Sequence, residues 1–480
     1  MSKIIGKFDN LTKSFKDKKI LSASLGYTIG NFLIKGVSFL TLPIFSRILT
    51  TSDYGLYNTF MAYESLFVIL ISFGVYMSIK AASVEFKEDL DGYISNIITY
   101  TSFVLFLFFV LLFLFNDMIT GVFGYNTVLI GIMLLQSAST TIITIYNIKL
   151  SLDYSYKKYL VIALFISLGS VILSLLFIFF VFTETKYYGR ILGGALPSLA
   201  AALYVIFISF KSKYPKRNKQ HLVFAIKYSI PLVPHGISQI ILSQSDRIMI
   251  MRYIGSVEAG LYSFAYNISV ILQILSTSLD TVWGPWFFKN YSLSKFENIK
   301  KRSSQYISIF STLTILLMFI TPELVKVLGS QAYSNSIEVL IPVILAIYFT
   351  FLYTIPAQLE YYKKKTGLIA ISTIIAGIVN IVLNMLLIPK YGYIAAAYTT
   401  LISYILNFVF HMIVSKRISE YWPFDIKVIS LNIIIVIIFS IISYVLVDFM
   451  LVRWLIIVFI LGSSVYIYRR YFKVIIEHVD

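Results

Sequence analysis

Four ionisable side chains, Lys35, Glu64, Lys227 and Asp280, stand inside or at the edge of long apolar runs, where each needs a chemical reason to be. Lys35 lies eleven residues from the nearer end of the run 24–46, about 16 Å deep at roughly 1.5 Å per helical residue. A charge at that depth costs about 2.5–3.5 kcal/mol on an insertion scale, so it needs a partner or water. Glu64, about 10 Å from the same surface, is within a lysine's reach. Two uses follow: a Lys35–Glu64 ion pair joining two helices, or a lysine offered to an anionic substrate and a carboxylate left for Na+ or H+. Asp280 sits among Leu279, Val282 and Trp283, a setting for either a cation-binding carboxyl group or an interfacial carboxylate beside Lys289. His235 belongs to a polar series of Lys227, Pro231, Pro234, Gln239, Ser243, Gln244, Asp246 and Arg247. Its ring suits an interhelical hydrogen bond or a proton relay, and Lys227 suits a snorkelling or a substrate-facing cation. Arg47, Arg190, Arg247 and Arg252 mark helix ends, as interfacial anchors or as cations for an anionic cargo.

The elements that position these groups are membrane helices. Of 480 residues 58% are hydrophobic and 13% charged, where a soluble domain carries roughly 25% charged residues. Apolar runs without polar alternation exclude a barrel and predict about fourteen transmembrane helices. They span 24–46, 57–79, 94–115, 127–148, 159–182, 190–210, 223–245, 261–283, 304–322, 337–359, 367–388, 393–415, 428–447 and 452–471. Arg47, Lys186, Arg190, Arg247, Arg252, Lys326, Lys390 and Arg453 then fall outside, Lys35 and Lys227 within spans, and the rest of the 40 lysines and arginines inside. By the positive-inside rule both termini are cytoplasmic. The cytoplasmic loops absorb much of the net charge of +17, so nucleic acid is not needed as a partner.

No cysteine is present, and the histidines at 221, 235, 411 and 478 do not have metal-ligand spacing, so no metal or other cofactor is expected beyond a coupling ion, Na+ or H+. Catalytic triads, paired catalytic carboxylates and a phosphate-binding loop are absent, and no outer loop is long enough for a catalytic domain. A transporter is expected rather than an enzyme.

Arg47-Ile48-Leu49 with Asp53-Tyr54-Gly55-Leu56-Tyr57 recurs as Arg252 with Glu258-Ala259-Gly260-Leu261-Tyr262 at an offset of 205, and Tyr188-Gly189 recurs as Tyr391-Gly392 at nearly that offset. The echo predicts two parallel six-helix lobes in pseudo-twofold repeat plus two C-terminal helices. Residues 1–22 form a basic cytoplasmic segment with amphipathic spacing for membrane lipids, 23–210 the first lobe, and 211–222 a basic linker. Residues 223–415 form the second lobe, and 416–480 the last two helices and tail.

Pro43 to Tyr57, Asp246-Arg247-Ile248 followed by Gly255 and Gly260-Leu261-Tyr262, Tyr361 to Lys365, and Lys390 to Ala396 together resemble the polysaccharide transporter family. These are the Wzx-type O-antigen and capsule flippases of the multidrug/oligosaccharidyl-lipid/polysaccharide superfamily. The resemblance implies two lobes around a cavity that opens alternately to either side of a bacterial cytoplasmic membrane. It implies translocation of undecaprenyl-diphosphate-linked oligosaccharide to the outer leaflet, with a polysaccharide polymerase and a chain-length regulator as partners. It places Lys35, Glu64, Lys227, His235 and Asp280 near the cavity and makes the last two helices a lipid-facing groove. The competing readings are a multidrug/cation antiporter, which would favour acidic cavity residues, and a membrane polysaccharide polymerase or ligase, which needs a large outer loop.

Overall fold

A computed structural model describes residues 26–27, 30, 36–37, 39–216 and 218–476, with side chains as far as residue 464. The basic N-terminal segment and Lys35 lie outside the described residues. Among those described, the chain is an all-α membrane protein with no strand. The first span is present as α1 (Phe39–Ile48). It is followed by α2 (Thr51–Ser72), the short α3 (Ile79–Glu85), α4 (Leu90–Leu114), the short α5 (Asn116–Phe123), α6 (Thr127–Leu152), α7 (Tyr156–Phe180) and α8 (Lys186–Ser212). Then come α9 (Lys219–Ser229), α10 (Val233–Tyr253), α11 (Ser256–Ser292), α12 (Phe296–Leu328), α13 (Ile337–Tyr362), α14 (Thr366–Tyr391), α15 (Tyr393–Ile418), α16 (Ile426–Val445) and α17 (Met450–Ile476). Eleven are long and apolar enough to cross a bilayer. Adding α1, the α9–α10 pair and α17 accounts for the fourteen expected spans.

Three of the departures from the hydropathy reading have a clear local reason. The second span stops at Ser72 rather than 79, because Phe73 and Gly74 take positive φ (45° and 66°) and Val75–Ser78 tightens into a 3-10 turn. The seventh is broken into α9 and α10 by a 3-10 turn at Ile230–Leu232 carrying Pro231, whose missing N–H and ring interrupt the α ladder. The eighth runs to Ser292 rather than 283. At about 1.5 Å per residue its 37 residues reach about 55 Å, well beyond a hydrocarbon core of about 30 Å. Aromatic packing carries it past the apolar window: the Phe287 ring stacks on Tyr291 and Phe424, and Trp283 on Trp286.

Contacts divide the chain into two compact units, one of Met1–Thr41 and Leu56–Ile240, the other of Leu42–Gly55 and Ile241–Asp480. In the first, Val75, Ile79, Tyr93, Ile97, Ile145 and Val205 form a buried core, while α7 has only 17% of its apolar window buried and faces lipid. In the second, α13 is the central helix, with 83% of its window buried, and Phe310 lies ring on ring with Phe351 at 3.9 Å. Also in the second unit, the repeated glycines meet. A Cβ on Gly55 would lie 1.9 Å from the Ser256 carbonyl oxygen, and one on Gly260 2.0 Å from that of Thr51. With Ser52 and Ser256 hydroxyls 2.7 Å apart, the two repeat motifs form one near-symmetric backbone contact.

The repeat is also visible in turns. Tyr154 after α6 and Lys364 after α13 both take positive φ (55° and 57°), and each turn closes with a six-residue hydrogen bond, Ser155 N to Leu150 O and Lys365 N to Glu360 O. Helices α16 and α17 are held to α12. Arg453 on α17 is buried, donating to both carboxylate oxygens of Glu323 (2.6 and 2.8 Å) and to the Phe319 carbonyl, while Ser443 on α16 donates to the Met318 carbonyl.

Candidate coupling and anion sites

In the first unit Glu64 on α2 is 5% exposed. Its Oε1 accepts from the Thr140 hydroxyl on α6 at 2.8 Å, and its backbone carbonyl from Ser137. Among the described residues it has no lysine or arginine within salt-bridge range, and Lys35 lies outside them. Arg190 on α8 is half-buried. It donates to Ser174 (2.9 Å) and Ser170 (3.1 Å) on α7 and lies 4.7 Å from the Tyr57 ring centre. Gly193, one turn along, lets α8 approach Ser174 closely enough for these bonds. His235 on α10 is half-buried with Nδ1 unpartnered, and Lys227 on α9 is exposed.

The second unit holds a denser cluster that hydropathy did not single out. Asp246 on α10 is 2% exposed. It accepts from the Thr400 hydroxyl (2.6 Å) and Asn384 amide (2.7 Å), from the Tyr262 hydroxyl, and more distantly from Asn380 (3.5 Å). Ser245 and Thr399 fix those two carboxamides through their Oδ1 atoms. Arg247, read from sequence as a helix-end cation, is instead buried beneath Tyr266, its guanidinium carbon 4.5 Å from the ring centre. It bonds the Ser243 carbonyl and the Gln244 side chain. The other helix-end arginines, Arg47 and Arg252, are exposed, and Arg47 donates to the Val327 carbonyl at 2.7 Å. Asp280 on α11 is half-buried, with Oδ1 accepting from Gln358 on α13 at 3.0 Å.

As the cluster stands, two hydroxyls and two carboxamides donate to the carboxylate; the same groups carry hard oxygens of low total charge, the ligand type a monovalent cation takes. Among the described residues no three His, Cys, Asp or Glu side chains gather as a metal site. The sequence signal for this cluster was the pair Asn380 and Asn384, one turn apart in the otherwise apolar α14, followed by Thr399 and Thr400 on α15. Each is tolerable alone in a helix, so only their convergence marks them.

Residues 20–291 match the family model described as polysaccharide biosynthesis protein. An Lsg locus protein of Haemophilus influenzae is 24% identical over 385 residues, 76% of this chain and 90% of that protein. A Haloferax volcanii protein named "Probable low-salt glycan biosynthesis flippase Agl15" is 22% identical over 396 residues, 81% of this chain and 82% of its own length. Among solved structures, the lipid II flippase MurJ in an inward closed conformation superposes with a TM-score of 0.71 at 18% identity, covering 93% of this chain and 99% of its own. An inward-facing MATE-family multidrug transporter reaches 0.60 at 11%, covering 82% of this chain and 100% of its own. The matched family model spans more than half of the sequence and the fold agrees along nearly all of it: the chain belongs to the polysaccharide biosynthesis protein family, the polysaccharide transporters of the multidrug/oligosaccharidyl-lipid/polysaccharide superfamily.

Proposed function

We propose that this chain is a flippase moving undecaprenyl-diphosphate-linked oligosaccharide units from the inner to the outer leaflet of a bacterial cytoplasmic membrane by alternating access, for O-antigen or capsule synthesis. The observation that carries the reading is the firm attachment of α16 and α17. The lipid II flippase fold extends over 93% of the chain and the multidrug transporter fold over 82%, a shortfall about the size of the last two helices. Both helices present apolar residues outward, among them Leu431, Ile434, Ile441, Leu455 and Phe459. An apolar face beside a transport fold suits a cargo whose prenyl tail stays in lipid while its head group crosses.

A diphosphate is best accommodated by cations, and Lys35 is the proposed one. Asp246 with its oxygen donors is the proposed coupling site for a monovalent cation, alongside Glu64 and Asp280. Both termini are proposed to be cytoplasmic, so an impermeant thiol reagent applied to intact cells should not reach Ser212→Cys. A polymerase and a chain-length regulator are the proposed partners.

The decisive experiment reconstitutes the protein with a fluorescent undecaprenyl-diphosphate oligosaccharide and measures its exposure to an outside quencher. Transport of this lipid, but not of a cationic dye, is the expected outcome; the reverse would assign the chain to multidrug export. Lys35→Ala should abolish flipping and Lys35→Arg retain much of it. A fully active Lys35→Ala, Glu64→Ala double variant would show that the lysine serves only an ion pair.

A further inference from the structure

Glu360 lies on the last turn of α13 and His411 two turns before the end of α15. Both side chains are wholly buried, with Glu360 Oε1 2.8 Å from His411 Nδ1. The Tyr353 ring lies over the imidazole at 5.3 Å and 20°, and Phe410 closes its edge at 5.9 Å. Within this apolar enclosure Glu360 Oε2 and His411 Nε2 have no hydrogen-bond partner. A pair kept only to join two helices would be expected to have its remaining polar atoms satisfied, because an unmet buried group is destabilising.

The proton count explains how the site is poised. With one proton between them, Nδ1–H donates to the carboxylate and the pair carries one negative charge. A second proton on either unpartnered atom makes the pair neutral. Burying the pair's net charge is far more costly than leaving one O–H or N–H unmet, so enclosure favours the neutral state and hydration favours the charged one. The Tyr353 face over the ring favours the tautomer in which the imidazole is protonated.

Two other ionisable groups lie toward the end of α13 that carries Glu360. Asp280 on α11 is half-buried, and Tyr361, 45% exposed, lies within electrostatic reach of both Asp280 and Glu360. The other charged groups nearby point away or are engaged. Lys363 pairs with Glu420 at 2.9 Å, and Lys364, Lys365, Lys416 and Arg417 are exposed. From α14 no ionisable side chain precedes Lys390 at its far end, and on α15 Tyr404 reaches Tyr353 rather than the pair.

We propose that Glu360 and His411 form a proton-binding site that takes up one proton while enclosed and gives it up when the ends of α13 and α15 are hydrated. One N–H or O–H bond is made or broken and no other reactant is needed. This deepens the flippase reading by naming H+ as an ion the carrier handles, and only the transport arm of its test rests on that reading.

The test is a pH-difference infrared spectrum of the protein in nanodiscs, taken as a series from acid to alkaline pH. A carboxylic-acid carbonyl band should change together with imidazole bands, and Glu360→Gln should remove the carbonyl change. Wild-type protein carrying 13C-labelled histidine gives the same reading without a variant. No pH-dependent carboxyl band, or one undiminished in a folded Glu360→Gln protein, overturns the proposal. So does a Glu360→Met, His411→Phe double variant that folds and keeps the wild-type infrared change. In proteoliposomes, acceleration of lipid-linked oligosaccharide flipping by an imposed pH gradient should vanish in Glu360→Gln. If wild-type protein moves no such lipid, the flippase reading fails while the infrared result still decides the proton site.

Discussion

Replacing Gly55 by alanine tests the backbone contact between the two repeat motifs. The added Cβ would stand 1.9 Å from the Ser256 carbonyl oxygen and 2.8 Å from the Gly260 nitrogen. The closest ordinary carbon–oxygen approach is about 3.3 Å, so α2 and α11 must part by about 1.4 Å. A carbonyl within a helix cannot rotate away as a side-chain tip can. The cost should therefore fall at the upper end of the usual overpacking range of about 1–3 kcal/mol. Because the chain has no cysteine, Ser52→Cys with Ser256→Cys, whose hydroxyls stand 2.7 Å apart, gives a clean disulfide reporter. Gly55→Ala should slow its formation several-fold and lower the unfolding temperature followed by tryptophan fluorescence. Gly121→Ala is the control: its Cβ meets nothing within 4 Å, and alanine within α5 should be neutral or stabilising by up to about 1 kcal/mol. If Gly55→Ala cross-links and unfolds like this control, the close approach is not what the glycines are for.

Arg453→Met should destabilise strongly, towards the lower side of the roughly 3–5 kcal/mol lost when one partner of a buried pair is removed, because Glu323 retains 20% exposure. Adding Glu323→Leu should recover most of that loss in mixed-micelle unfolding, and equal losses in single and double variants would show no coupling. Asp246→Asn should abolish any stabilisation by NaCl over KCl at equal ionic strength; an unchanged sodium-specific shift would overturn the proposed cation site at Asp246. Asp425 caps α16 through the Lys427 and Val428 backbone amides (3.0 and 3.3 Å), so Asp425→Ala should cost about 0.5–2 kcal/mol. The Val428 amide foremost, with Lys300 nearby, holds the Asp425 carboxyl below its ordinary range. The cap's contribution is then complete above the unfolded value of about 3.9 and fades as pH falls through the lower folded value. Acid unfolding curves of parent and variant should therefore converge at the acid end, and a constant gap would refute the assignment.

The helices were legible because lipid imposes a simple rule: a span must be long, apolar and helical. What hydropathy could not show is where a helix stops for reasons other than polarity. Ser72 ends α2 because Phe73 and Gly74 change φ, and α11 passes its apolar window because Phe287 and Tyr291 find aromatic partners beyond it. The glycine echo was visible in sequence as a repeat, but not as a contact of the motif with its own copy. Arg247 was misjudged because charge at a helix end ordinarily seeks water. Here Tyr266 and the Ser243 carbonyl provide an alternative that only the folded unit reveals.

The buried acids differ in a way that explains which was recognisable. Glu64 interrupts an apolar run, so hydropathy finds it, yet among the described residues one hydroxyl meets its carboxylate. Asp246 lies in a polar stretch where one more charge attracts no notice, yet hydroxyls and carboxamides from α11, α14 and α15 converge on it. Neutral hydrogen-bond donors stabilise an ionised carboxylate without cancelling its charge, leaving room for an external cation. A histidine partner instead supplies the proton that cancels it. On the proposed readings Asp246 and Glu360, both deep in the same unit, would take different ions: the first one that arrives with its charge and needs oxygen ligands, the second one that shares a covalent bond. Swapping the chemistry rather than deleting it distinguishes these roles, since histidine in place of Asn384 should make the Asp246 site pH-dependent, while Asn in place of His411 should leave Glu360 without its proton partner.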